Sequence, residues 1–174
     1  SKQPMIDTKL FTKNRLFAFS NIAAFINYAA TSAIVFFLSL YLQKIRSLEP
    51  RETGLILVAQ PVMMTLFSPV VGRLSDRIQP RYPASAGMIM CTVGLFAMSF
   101  FNQNTPIWLI VSVLLWIGTG FAFFSSPNMN TIMSSVDRKS IGLASGTAAS
   151  MRILGQIISM TIITLFFAAY FDGK

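Results

Sequence analysis

No residue between Phe17 and Leu42 carries a charge. As a helix rising 1.5 Å per residue, that stretch outruns the roughly 30 Å hydrocarbon core of a bilayer. It is therefore predicted to tilt or to protrude at one end. Four further apolar blocks follow, parted by short polar segments, and each is long enough to cross once. Lipid cannot satisfy a bare peptide group, so helices are the form such blocks must take. The expected fold is all-α, a polytopic transmembrane helix bundle of about five spans: residues 16–43, 53–72, 83–101, 106–127 and 141–170. No Gly/Ser-rich or Pro-rich linker divides the chain, which reads as one domain. Composition agrees, because only 11% of the residues are charged, against roughly a quarter in a soluble domain.

Pro61 and Pro69 fall inside the second block, where a membrane helix tolerates them if neighbours satisfy the freed carbonyls. Pro83 falls at the start of the third, where a missing N–H costs nothing. The fourth begins at Pro106 and ends near Ser126, or past Pro127 at Met133. The chain has no histidine and a single cysteine, Cys91. Imidazole catalysis, His-ligated metal, an intrachain disulfide and a cysteine zinc cage are thereby excluded. The spans offer only hydroxyls, amides and one arginine, so the chain is expected not to be an enzyme and to need no cofactor or metal.

A net charge of +8 would suggest nucleic acid in a soluble protein. In a membrane protein it reports orientation instead. One side of the bundle carries Lys2, Lys9, Lys13, Arg15, Arg73, Arg77, Arg81, Arg138 and Lys139; the other carries Lys44, Arg46, Arg51 and Lys174. That bias predicts a multi-pass protein of the cell membrane with a cytoplasmic N-terminus and no nucleic-acid partner.

Polar atoms inside hydrocarbon are expensive, so they mark faces turned to protein or water. In the first span Asn21, Tyr28 and Ser32 fall at i, i+7 and i+11, with Asn27 and Thr31 beside them. Such a stripe either lines a solute cavity or forms a hydrogen-bonded seam between helices. Gln60, next to Pro61, is a cavity residue or a local repair of the proline break; Asn128 closes the polar end of the fourth span. The third span has few polar residues and reads as lipid-facing, whereas Gly118 and Gly120 in the fourth permit close helix packing. In the fifth, Gly142, Gly146 and Ser150 recur every four residues and make a smooth contact face. After it come Arg152, Gln156 and Ser159 at i, i+4 and i+7, with Arg152 roughly 16 Å along the axis from Ile141. No acidic residue lies in the interior of any span, so Arg152 either snorkels or draws its counter-charge from water, backbone, substrate or another chain.

The loop between the second and third spans reads Gly72-Arg73-Leu74-Ser75-Asp76-Arg77-Ile78-Gln79-Pro80-Arg81. Gly72 lets a helix end approach its neighbour, Asp76 can face a helix N-terminus, and the arginines hold the loop in the cytoplasm. Here the chain resembles the major facilitator superfamily, whose corresponding loop has the form G-x-L-x-D-R-x-G-R-R/K. Gly72, Leu74, Asp76, Arg77 and Arg81 match, while Gln79 and Pro80 depart from it. Leu40-Tyr41-Leu42-Gln43, Gly54-Leu55, Pro61, Gly142-Leu-Ala-Ser-Gly146 and Met151-Arg152-Ile-Leu-Gly155-Gln156 extend the likeness. They point to the C-terminal half of the fourteen-span drug–proton antiporter branch.

That resemblance implies one half of the superfamily fold, lacking its sixth helix. In that fold, helices one and four line the cavity, two and five meet the other half, and three and six face lipid. It places Asp76 as a gating residue against the fifth helix of the opposite half. The expected function is part of a secondary active transporter, exporting drugs or other small molecules by alternating access with proton antiport. With no titratable acid inside a span, proton coupling would reside outside this chain. The partners implied are the lipid bilayer, a small-molecule substrate, and a missing N-terminal half or second subunit. A non-transporting membrane assembly or regulatory subunit is the alternative, and it would close the polar stripe of the first span by packing.

Overall fold

A computed structural model describes residues 14–171, with side chains described through Leu165. Lys2, Lys9, Lys13 and Lys174 of the charge count lie outside the described residues. Among those described there is no strand. The helices are α1 (Arg15–Leu40), α2 (Pro50–Leu57), α3 (Ala59–Ser75), α4 (Arg81–Met98), α5 (Ile107–Ser134) and α6 (Ile141–Phe171). The five predicted spans correspond to α1, to α2 with α3, and to α4, α5 and α6. Among the described residues, four stretches are long and apolar enough to cross a membrane: Arg15–Ile45, Pro50–Ser75, Ile107–Ser134 and Arg138–Leu165. The third predicted span forms as α4, whose 18 residues include Arg81 at the start.

Local chemistry sets the helix boundaries. Asn14 caps α1, its side-chain oxygen accepting a hydrogen bond from Phe17 N at 3.0 Å. At its far end α1 widens into a π turn, Tyr41–Ile45, and Ser47 then ends it with a left-handed φ of 54°. Glu49 and Glu52 form a capping box on α2. The break between α2 and α3 sits at Val58, three residues before Pro61. A proline cannot donate to the carbonyl four residues back, so Leu57 loses its bond there. Pro83 lands in the first turn of α4, where N–H groups have no helical partner in any case.

Helix α5 runs on past Pro127 to Ser134, beyond the shorter of the two predicted ends. The carbonyl that Pro127 frees belongs to Phe123, and that turn is braced by α4. A Cβ on Gly87 would stand 2.5 Å from Phe124 N and 2.8 Å from Phe123 C. A helix so supported bends at proline instead of stopping.

The contacts divide into two compact units, and α1 and α5 each contribute to both. The first comprises the described residues up to Ala33 and those from Met129 onward. Its core is Phe17, Ile132, Ala144 and Ala148, with Met133 and Val136 packed against them. Asn14 Nδ2 donates to the Ser135 carbonyl and ties the start of α1 to the end of α5. Farther along, α6 meets α1 backbone to backbone, because a Cβ on Gly155 would lie 2.6 Å from Phe25 O and 3.0 Å from Ala29 N.

The second unit spans Ile34–Asn128. Here α4 lies on α5 through Pro83, Gly87, Cys91 and Gly94, the buried residues of α4. Trp116 Nε1 donates to Met90 O at 3.0 Å across that contact. Ile89, Val93 and Phe96 on the other side of α4 are exposed. Gly118 of α5 touches the Gln60 backbone so closely that no side chain fits. At one end of this unit Tyr41 and Arg46 donate to the carbonyls of Asn102 and Gln103.

Candidate functional site

The polar residues of α1 occupy a buried seam. Phe17, Ser20, Asn21, Ala24, Asn27, Thr31, Ile34, Leu38 and Leu42 recur every three or four residues and are all buried. That spacing is the mark of a helix packed along one side. Asn21 is fully enclosed, and Asn27 and Thr31 nearly so; Tyr28 and Ser32 stand half-buried on the flank. Thr31 donates to Asn27 O at 2.6 Å and Asn21 Nδ2 to Phe17 O at 2.9 Å, bonds internal to α1. The side-chain oxygens of Asn21 and Asn27 and the Ser32 hydroxyl have no hydrogen-bond partner among the described residues.

A buried acceptor without a donor costs about 1–3 kcal/mol. Burial of Asn21, Asn27 and Thr31 is what a packing seam produces; two amide oxygens without donors are not. Tyr28 is drawn toward α6, its Cβ 3.2 Å from where a Gly155 Cβ would stand. Gln60, in the second unit, is half-buried at its glycine contact, and its side-chain oxygen is also without a partner. Asn128 is buried beside Pro127. Six candidate positions thus occupy three helices.

The loop motif is compact and turned outward. Gly72 lies in the last turn of α3 against Ser126 of α5, whose hydroxyl oxygen would be 3.1 Å from a Cβ on the glycine. Ser75 is buried and donates to Gly72 O at 2.8 Å. The turn then closes through bonds from Arg77 N and Ile78 N to Leu74 O, and from Tyr82 N to Gln79 O. No residue of the loop needs a positive φ, so Gln79 serves where the related loops carry glycine. Pro80 suits the helix start that follows it. Leu74, Asp76, Arg77 and Arg81 are exposed.

Arg81 stacks on the Tyr82 ring at 4.9 Å and donates to its hydroxyl at 3.0 Å. Asp76 sits at the C-cap of α3, the negative end of that helix's dipole. Its backbone N–H bonds to Leu74 O, while its carboxylate makes no hydrogen bond or ion pair among the described residues.

Helix α6 divides sharply. Ala144, Thr147, Ala148, Gly155, Ser159 and Ile163 are buried. Gly142, Gly146, Arg152 and Gln156 are exposed, and a Cβ on either of those glycines would meet nothing within 4 Å. The glycine that packs inside this chain is therefore Gly155, part of the resemblance yet without a role deduced from the residues. The Arg152 guanidinium has neither a hydrogen bond nor an ion pair among the described residues. A guanidinium at mid-span without a partner costs at least ~2.5 kcal/mol. Below it an open groove of about 460 Å³ follows Gln156, Ile157, Met160, Thr161, Thr164 and Leu165.

Long apolar helices, a buried polar seam in α1 and an outward-turned Gly-x-Leu-x-Asp-Arg loop define a polytopic helix-bundle membrane protein of the transporter type. The sequence profile of the Major Facilitator Superfamily matches residues 2–171, and the chain belongs to that family. It is 31% identical over 170 residues to the riboflavin transporter RibZ of Clostridioides difficile, covering 98% of this chain and 36% of that protein. It is 28% identical to the multidrug resistance protein Stp of Mycobacterium tuberculosis, over 99% of this chain and 32% of Stp. The multidrug efflux pump LfrA of Mycolicibacterium smegmatis is 25% identical, over 100% of this chain and 34% of its own. The chain thus spans about a third of the length of these curated relatives. No solved structure matches it.

Proposed function

We propose that this chain is the first five helices of the C-terminal half of an exporter in the cell membrane, with its N-terminal end cytoplasmic. In this reading it moves drugs or other small molecules outward by alternating access, driven by proton antiport. The observation that carries it is the pair of enclosed, donorless amide oxygens on Asn21 and Asn27. An apolar span retains such groups when a solute, water or a second packing arrangement supplies the missing donor, and a rocking bundle offers all three. Asn21, Asn27, Tyr28, Thr31, Gln60 and Asn128 are assigned to the solute path. Gly72, Leu74, Asp76, Arg77 and Arg81 form the gating loop, with Asp76 reaching a helix of the other half. Gly142, Gly146, Arg152 and Gln156 form the surface on which that half packs.

The names of the relatives support small-molecule transport, and one of them supports export: one is a riboflavin transporter, one a multidrug resistance protein and one a multidrug efflux pump. The role is that of a carrier and not of an enzyme. No acid sits in the interior of a described span, so the coupling carboxylate belongs to the remainder of the transporter. Inside-out vesicles bearing the full-length protein test this. With an imposed pH gradient they should accumulate riboflavin or a fluorescent organic cation, and a protonophore should abolish the uptake. Vesicles that accumulate neither probe would count against export.

A further inference from the structure

The open face of α6 has a chemical signature beyond its small residues. Arg152 lies midway along the apolar stretch Arg138–Leu165. It is exposed, and its guanidinium has neither a hydrogen bond nor an ion pair among the described residues. The six acids of the chain are Asp7, Glu49, Glu52, Asp76, Asp137 and Asp172, each at a helix end or outside the described helices. Among the described residues none lies in the interior of an apolar span. Toward the start of α6 the helix is also open at Gly142 and Gly146, roughly 80–120° around the axis from Arg152 at 3.6 residues per turn, which lets another backbone come close beside the arginine. One turn beyond Arg152, Gln156 presents an amide at the head of the groove that leads to Thr164. The face is therefore shaped for a helix and charged for an anion at one height.

We infer that a transmembrane helix from the remainder of the transporter lies on this face and carries an aspartate or glutamate opposite Arg152. Its carboxylate pairs with the guanidinium, with Gln156 as a neighbouring donor. The inference rests on the proposed packing of the other half against α6 and adds the chemistry of the partner. Arginine suits the role because its planar fork can hold a carboxylate through two bonds. An anionic substrate would supply the same charge. A small solute, however, leaves the smooth face at Gly142 and Gly146 without an occupant.

The test uses the full-length protein and two readouts, transport and the thermal unfolding midpoint of the purified protein. Arg152→Glu should lower both, transport by at least about tenfold, because reversing one member of an intramembrane pair leaves two like charges facing. Arg152→Lys should retain most of both. Lys or Arg replacements at each intramembrane acid outside residues 1–174 should include one that restores the unfolding midpoint of Arg152→Glu. Wild-type stability and transport in Arg152→Leu would overturn the inference, and so would the lack of any restoring acid. Arg152→Leu with an unchanged midpoint and a raised KM would assign the arginine to substrate instead. If the unaltered protein transports nothing, the export reading fails, while the stability readout still decides the ion pair.

Discussion

Asn21 shows how a single side chain can work against its own fold. Its amide nitrogen bonds only to the Phe17 carbonyl within α1, and its oxygen finds no donor. Replacing a buried polar group by an apolar one of similar shape is near neutral or stabilising. Asn21→Leu should therefore leave the unfolding midpoint of the 174-residue chain unchanged or raised, while slowing export by the full-length protein. Parallel thermal scans and vesicle uptake would show it; equal loss in both would make Asn21 a structural residue. Glycines divide by the same logic. Gly87→Val must displace the Gly120 and Phe124 backbone atoms only 2.5 Å away, an overpacking cost of about 1–3 kcal/mol. Gly146→Ala meets open space and should gain about 1 kcal/mol of helix stability instead. Chemical unfolding of the two variants in detergent should move their midpoints in opposite directions. Residue identities alone predicted close packing at Gly142 and Gly146 as readily as at Gly118 and Gly120, because spacing shows which positions are small and not which have a neighbour.

At the scale of the helix, hydropathy located the spans because lipid permits few alternatives to a helix of that length. What it missed was set by packing. Spacing alone allows α5 to end at Ser126 or at Met133; α4 bracing the turn around Pro127 carries the helix on to Ser134. Spacing sets Asn21, Tyr28 and Ser32 in one stripe with Asn27 and Thr31 beside it, whereas the buried seam of α1 passes through Asn21, Asn27 and Thr31 and leaves Tyr28 and Ser32 at its edge. The tie of the capping residue Asn14 to Ser135 has no local sequence signature, because the two lie far apart in the chain. The break at Val58 follows from Pro61 alone. Pro61→Ala restores the donor to Leu57 O and should fuse α2 and α3 into one helix. Spin labels at positions 51 and 70 should report a narrower and altered distance distribution; an unchanged distribution would place the cause of the break elsewhere.

For the whole molecule, the loop and the α6 face have one feature in common: each carries a charged side chain with no partner among the described residues. Asp76 stands at the negative end of its own helix, so it contributes nothing favourable to α3. Asp76→Asn should leave the stability of the 174-residue chain intact and lower transport by the full-length protein severalfold, as compared by thermal scans and vesicle uptake. The loop motif was legible in the sequence because five of its residues keep their spacing, and the structure adds that the turn closes without a left-handed residue. Alternating access remains the central claim, and one measurement reaches it directly. A single cysteine replaces Tyr28 in the full-length protein lacking its native cysteines, Cys91 included, and is treated with a membrane-impermeant maleimide from either side of the membrane. The account predicts labelling from both sides, with the inward and outward rates shifting in opposite directions when substrate or a pH gradient is applied. Labelling from one side only, or from neither under every condition, would contradict it.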